Sequence, residues 1–306
     1  MEIINNQNGS MRMKFENSTG TGTIDAYEVF PGIFLSYSNF KLEKCESNYA
    51  QDNGMFGFEH CLEGKIEWEL KNGDFAFLGP GTLMPYDYER NNGQFVFPMK
   101  NYVGFSFGII LSKAQNGLPD GFPVDLVALS ANLKSGLTLN LSRNASASFV
   151  LGLVYDAQDK DDIHRKLACL ELLLFLRDLK WQENRSTPLY MPRAQVMKMK
   201  EISSFLMENA YHRFTLEEIS KKYNIPVSSL RRGFEGIYGC SVYDFMKHYR
   251  VEEAMRRLRE TNESITEIAT VLGYDNPSKF SAVFKSVVGL SPLTYKNNFF
   301  EHNGVV

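Results

Sequence analysis

The chain has 306 residues, 43% of them hydrophobic and 23% charged, with a formal net charge of −3. That mixture supports cores for about two domains and excludes a disordered chain, a collagen-like fibre and a disulfide-stapled miniprotein. The longest apolar run, Leu172 to Leu176, is far too short to span a bilayer, and Met1-Glu2-Ile3-Ile4-Asn5 lacks the start of a signal peptide. A cytoplasmic protein without a membrane partner is expected. Cys45, Cys61, Cys169 and Cys240 are scattered and form no CxxC pair, so they read as free thiols. The charge is uneven. Residues 192–298 carry 16 Lys/Arg against 12 Asp/Glu, whereas residues 1–191 carry 17 against 23. An acidic front and a mildly basic back imply two domains with different partners.

From Ile24 to Leu111 short runs of Phe, Tyr, Ile and Val are broken by turn residues. Ile66, Trp68 and Leu70 alternate with charges, which predicts one buried and one wet face. Asn72-Gly73 then signals a tight turn, and Phe75 and Phe77 resume the alternation. Val103, Phe105, Phe107 and Ile109 repeat it. Several short strands with Gly-rich turns predict a barrel or sandwich. Metal chemistry would need clustered His and carboxylate ligands, but this segment offers His60 alone. A lone His is more often a hydrogen-bonded wall residue than a ligand. No nucleophile elbow or phosphate loop appears, so no catalytic residue, metal or cofactor is expected. An inward phase of Trp68, Phe75, Phe77, Phe105 and Phe107 would line an apolar ligand cavity, with His60 and Tyr86 as polar anchors. The competing account is a barrel filled by these same rings.

Past residue 145 the period changes. Asp161-Asp162 open a helical stretch to about Trp181, and the acidic start suits a helix N-terminus. Leucine covers more than one stripe, which means burial on two sides. Ile163, Leu167, Leu170 and Leu174 share one stripe, either packed on the barrel or forming a dimer seam. Asn184 to Pro188 reads as a linker.

The back half contains an internal repeat. Thr215-Leu216-Glu217-Glu218 and Ser264-Ile265-Thr266-Glu267 both read as capping boxes. Leu216, Ile219, Ser220 and Tyr223 match Ile265, Ile268, Ala269 and Leu272 on the i, i+3, i+4, i+7 face of a short helix. A sharp turn follows at Asn224 or Gly273, and then a second helix in which Leu230, Phe234 and Ile237 match Phe280, Phe284 and Val287. Two short helices joined by a tight turn make a helix-turn-helix. Two copies in register suit two recognition helices entering successive major-groove faces. Between them, Phe245, Tyr249, Ala254 and Leu258 of a charged helix can pack against both copies.

Arg250-Val251-Glu252-Glu253-Ala254, Ile265-Thr266-Glu267-Ile268-Ala269, Leu272-Gly273-Tyr274, Ser278-Lys279-Phe280, Phe284-Lys285 and Gly289-Leu290-Ser291-Pro292 resemble the AraC/XylS family of bacterial transcription regulators over residues 195–296. Leu230 to Glu235 and Gly273 to Ser278 also resemble the branch of the pyochelin-siderophore regulator. The resemblance implies an α+β chain in three parts. Residues 1–145 would be a cupin-like ligand-binding β-barrel, 146–191 a helical dimerisation segment and linker, and 192–298 an all-α domain of two helix-turn-helix units. It implies a homodimer that binds double-stranded promoter DNA, contacts RNA polymerase and answers to a small-molecule effector. On the first recognition helix Ser228, Ser229, Arg231 and Arg232 would face DNA, with Arg232 at a position that often reads a base. Pro226 stands where the family usually has a hydroxyl cap. On the second, Asn276 would cap and Pro277 open a helix whose DNA face is Pro277, Ser278, Ser281 and Ala282. Ala282 replaces a common Arg, so Lys279 and Lys285 would hold phosphates and this unit would anchor while the first specifies. A cupin-type enzyme and a constitutive regulator without ligand are the alternatives.

Overall fold

The structure, a computed structural model, describes residues 2–5, 10–46, 55–70, 72–85, 94–114, 117–134, 138–186 and 189–303. The chain divides into two compact units, Met1–Arg193 and Ala194–Val306.

The first unit opens with strands β1 (Glu2–Asn5), β2 (Ser10–Asn17), β3 (Gly20–Phe30), β4 (Ile33–Lys41) and β5 (Lys44–Glu46). Next come β6 (Met55–Gly64), β7 (Ile66–Glu69), β8 (Phe75–Leu78), β9 (Thr82–Pro85), β10 (Gln94–Val96) and β11 (Tyr102–Ile110). Helices α1 (Leu111–Ala114) and α2 (Leu126–Lys134) lead to β12 (Leu139–Asn140). Helices α3 (Ala145–Asp156) and α4 (Asp162–Asp178) and strand β13 (Leu189–Met191) complete it.

The strands form two sheets, ordered β1-β2-β3-β4-β11-β6-β9-β12 and β13-β8-β7-β10-β5. Neither closes on itself among the described strands, so of the barrel or sandwich that the alternation allows, these strands form two separate sheets and no closed barrel is seen among them. The reason lies in the larger sheet, which buries both of its faces. Ile33, Leu35 and Tyr37 of β4 join a cluster with the α2, α3 and α4 leucines, while Phe40, one pleat phase away, joins residues of the second sheet. A bulge between Val103 and Gly104 marks the same division on β11: Tyr102 belongs to the inter-sheet cluster, and Phe105, Phe107 and Ile109 to the helix-covered one. The Tyr37 hydroxyl donates to the Val154 carbonyl at 2.9 Å, pinning α3 to the sheet.

The β7–β8 hairpin forms at the expected turn, with Gly73 at φ 86°. Its expected wet face does not: Glu67 and all of Phe75 to Leu78 are buried. The α4 helix begins where the acidic pair predicts, and Asp161 is its cap, accepting from the His164 N–H at 3.0 Å. The linker expected at 184–188 is described only to Ser186, and β13 follows it as an edge strand on β8.

The second unit is helical: α5 (Arg193–Glu208), α6 (Leu216–Tyr223), α7 (Val227–Tyr238), α8 (Val242–Glu260), α9 (Ile265–Val271), α10 (Pro277–Val288) and α11 (Pro292–Asn303). No helix among the described residues is long and apolar enough to cross a membrane.

Candidate nucleic-acid interface

The repeat is built twice with the same bonds. At α6 the Thr215 hydroxyl accepts from the Glu218 N–H at 3.2 Å, and the Glu218 carboxylate accepts from the Thr215 N–H at 2.8 Å. Ser264 and Glu267 make the same reciprocal pair at α9, at 3.2 and 2.7 Å. Backbone and hydroxyl donors favour the ionised acids, so both glutamates are held below the usual carboxylate range. The turn uses one left-handed residue in each copy, Asn224 at φ 50° and Gly273 at φ 74°. Beyond it, the Ile225 N–H returns to the Ser220 carbonyl at 3.1 Å and the Tyr274 N–H to the Ala269 carbonyl at 2.9 Å. Glycine is required in the second copy, because a Cβ on Gly273 would lie 2.2 Å from the Tyr211 carbonyl oxygen.

The second helices differ at their starts. Pro226 is the N-cap of α7 and supplies no side-chain bond; its carbonyl accepts from the Ser229 and Leu230 N–H groups, both at 3.0 Å. The residue that stands in place of a hydroxyl cap therefore still allows the helix to form. Asn276 caps α10 by accepting from the Ser278 N–H at 2.7 Å, with Pro277 in the first turn.

Helix α8 serves both copies. Its Phe245 packs edge-on against Phe234 of α7 at 5.6 Å, and its Val251, Ala254 and Leu258 share a core with Phe280 and Phe284 of α10. Arg250, a part of the family-like motif to which the sequence assigned no role, is buried beneath the junction. Its guanidinium donates to the Ala210 and His212 carbonyls at 2.9 and 3.1 Å. In the same loop Arg213 donates to the Gly273 carbonyl at 3.1 Å. The loop after α5 is thereby tied to α8 on one side and to the second turn on the other.

With Leu230, Phe234, Phe280 and Phe284 inside, the opposite faces of α7 and α10 are open. Ser228, Arg231, Arg232, Asn276, Ser278, Lys279, Ala282 and Lys285 are exposed, and Ser229, Pro277 and Ser281 are half-buried. The side chains of Arg231, Arg232, Lys279 and Lys285 make no hydrogen bond or ion pair among the described residues. Arg232 also edges a cleft of about 500 Å³ with Lys198 and Ser229, between α5 and α7. On α8, by contrast, two cations are occupied: Arg256 pairs with Glu253 and Glu260 at 2.7 and 2.9 Å, and Arg257 with Glu253 and Glu263 at 2.9 and 2.8 Å. Four cations without a carboxylate partner among the described residues thus lie on the two second helices.

The residues expected to line a ligand cavity divide between regions. Phe105 and Phe107 are fully buried under the helices of the first unit. His60 lies beside Phe105, its ring centroid 5.5 Å away, and its Nδ1 is 3.0 Å from the Tyr155 hydroxyl of α3. Burial without a charged partner pushes the His60 imidazole down to about 4. Trp68 packs on the other cluster, between the sheets. Phe75 and Phe77 are buried on β8, and Tyr86 lies outside the described residues. A half-buried carboxylate that the sequence did not single out, Glu59, accepts from the Tyr102 hydroxyl at 2.5 Å and from Ser106; desolvation pushes its carboxyl up. No group of three or more metal-ligating side chains occurs among the described residues.

On α4, Ile163 and Leu167 are 67% and 60% exposed while Leu170 and Leu174 are half-buried. Helix α3 adds Phe149, 65% exposed, and Leu153, two residues the periodicity did not single out.

These features define a tandem helix-turn-helix domain, and residues 219–298 match the helix-turn-helix domain family. An HTH-type transcriptional activator RhaR from Mannheimia succiniciproducens is 26% identical over 142 residues, covering 46% of this chain and 49% of that protein, so the chain spans about half of that relative's length in the match. The raffinose operon transcriptional regulatory protein RafR of Pediococcus pentosaceus is 26% identical over 272 residues, 85% of this chain and 92% of that one. The C-terminal domain of AraT, a response regulator from Geobacillus stearothermophilus, is 27% identical over 33% of this chain and 84% of that one, with a TM-score of 0.32. The domain is thus similar to the helix-turn-helix domains of proteins named as transcriptional regulators. Both relatives are named as transcriptional regulators, activator or operon regulator.

Proposed function

We propose that the whole chain is an AraC-type regulator whose second unit binds double-stranded promoter DNA through α7 and α10. One observation carries this: two helix-turn-helix copies built with the same capping and turn bonds share α8 and turn unpaired cations outward. In this reading Arg232 reads a base, Arg231, Lys279 and Lys285 hold phosphates, and the small α10 side chains Ser278, Ser281 and Ala282 discriminate weakly. A gel shift on the DNA upstream of the protein's own gene tests it. Arg232→Ala should cost about 1–3 kcal/mol and relax specificity at one base pair. Lys285→Ala should weaken all sequences alike and flatten the salt slope by about one unit. Uniform losses in both variants overturn the division between a specifying and an anchoring unit. Activation through RNA polymerase belongs to the same proposal and is read by transcription from the bound promoter.

The first unit is the proposed regulatory and dimerisation module, with a second copy of this chain on α3 and α4. The exposed stripe of Ile163 and Leu167, beside Phe149 and Leu153, supports that seam. Ile163→Lys with Leu167→Lys changes exposed side chains and spares the fold; the expected result is a folded monomer by light scattering. A folded dimer moves the seam. The relative matching across both units is named for the raffinose operon, which supports reading the whole length as an operon regulator under small-molecule control. The finer placement beside the pyochelin-siderophore regulators rests on residues 230–235 and 273–278, so the effector panel spans oligosaccharides and ferric siderophores. A thermal shift confined to the first unit identifies the effector, and none across the panel leaves a constitutive regulator.

A further inference from the structure

A second cleft, of about 290 Å³, opens between the first half of α8 and the start of α10. Its α8 wall carries Tyr243, Lys247 and Arg250, spaced along one helix face, and its α10 wall carries Lys279 and Ala282. Arg213 and Tyr274 also line it. The charge is one-sided. Lys279 has no partner among the described residues, and Arg213 spends one nitrogen on the Gly273 carbonyl. The acid beside the cleft, Asp244, is engaged by Lys247 at 2.9 Å and by the Ser241 hydroxyl at 2.8 Å. Most telling is Arg250: it is only 7% exposed, and both of its bonds go to neutral carbonyls. Among the described residues no carboxylate bonds to it, and the titratable groups acting on it are Tyr274, Arg213 and Tyr243. A buried cation without a counter-charge is costly to keep, and an anion entering this cleft would supply one.

We propose that the cleft grips a backbone phosphate of the DNA at the junction between the two recognition helices, with Arg250 beneath it and Arg213, Lys247 and Lys279 around its rim. The proposal rests on the DNA-binding reading above. The occupant is duplex DNA rather than a free anion because one wall is the recognition helix itself. A duplex lying along α7 and α10 must carry its sugar-phosphate strand past Lys279 and Ala282. The small Ala282 keeps the opening clear where a long side chain would fill it.

The test uses the full chain and a fluorescein-labelled mixed-sequence duplex, since phosphate contacts are sequence-independent. Lys247→Gln, checked as folded by circular dichroism, should make the slope of log affinity against log salt less negative by about 0.9, equally on every sequence. Arg256→Gln, which removes a cation that does not line the cleft, should leave the slope alone. Should Lys247→Gln unfold the chain, Lys279→Gln from the opposite wall carries the same expectation. Inorganic phosphate titrated without DNA separates the two sources of phosphate. Saturable phosphate binding that the variant loses, with an unchanged DNA slope, makes this a free-anion site and overturns the clamp. An unchanged slope with DNA binding intact overturns the clamp alone. A wild-type chain that binds no duplex overturns both the clamp and the reading it rests on.

Discussion

The two units hold themselves together by different means. In the second, each turn of structure is specified within a few residues of itself: a hydroxyl and a glutamate three apart, a left-handed residue, a proline or asparagine before a helix. In the first, Phe105 acquires its place from Tyr37 and His60, its register partners on strands that begin far away in the chain. Local specification lets one pattern be copied and the copies fused. Non-local specification makes the same alternation compatible with a barrel, a sandwich or a sheet carrying helices, and the choice falls to whatever covers each face.

The comparison breaks most visibly if the units do not unfold separately. Phe105→Ala should lower the first unit's stability by about 3–5 kcal/mol and leave the second unit's transition in place. A calorimetric scan in which both transitions shift together would show that the units share their stability. A smaller effect is expected from the second copy's turn. Gly273→Ala meets both a left-handed φ and the Tyr211 carbonyl, and should cost about 1–3 kcal/mol or more in the second unit's chemical denaturation. Asn224→Gly at the matching turn should be nearly silent.

The third probe is pH. Unfolded His60 takes a proton below its ordinary 6.5, the folded one only below about 4. In that window the unfolded chain binds more protons, so the first unit is fully stable above 6.5 and weakens as the pH falls toward 4. Between about pH 7 and pH 5 the loss assigned to His60 is about 2 kcal/mol, and His60→Phe should flatten that part of the urea-denaturation profile. Glu59, raised by burial, works in the opposite sense and gains as acid is added. Smallest are the caps: Thr215→Ala and Ser264→Ala should each cost about 1 kcal/mol in the second unit. Unequal costs would mean that the two copies are alike in geometry but not in energy.

Most of the second unit was legible in the chain because its signals are short-range. Thr215 with Glu218, Ser264 with Glu267, and Asn276 before Pro277 each fix a boundary without help from elsewhere. Arg250 escaped a role because its partners are backbone carbonyls of Ala210 and His212, which leave no mark in side-chain patterning. In the first unit the strands around Ile66, Phe75 and Phe105 were legible as strands, but the assumption of a single interior was not safe. Alternation states that Phe105 and Phe107 share a face; it is silent on whether that face meets helices or a second sheet. Glu59 went unremarked because its partners Tyr102 and Ser106 stand on a strand more than forty residues away. The α4 stripe of Ile163, Leu167, Leu170 and Leu174 did emerge as a unit, graded from exposed to half-buried.

Helix α8 has a consequence for the operator rather than for the protein. Because Phe245 near its start and Leu258 near its end are each locked into a different copy's core, the interval between the recognition helices is built into the protein. Any mismatch between that interval and the pitch of straight B-form DNA then falls on the DNA, which must curve or twist to be read twice. On the proposed function, base pairs between the two contacted grooves would be selected for how cheaply they deform, although no side chain touches them. Inserting one base pair there would rotate the second site by about a tenth of a turn, an error that α8 has no joint to absorb.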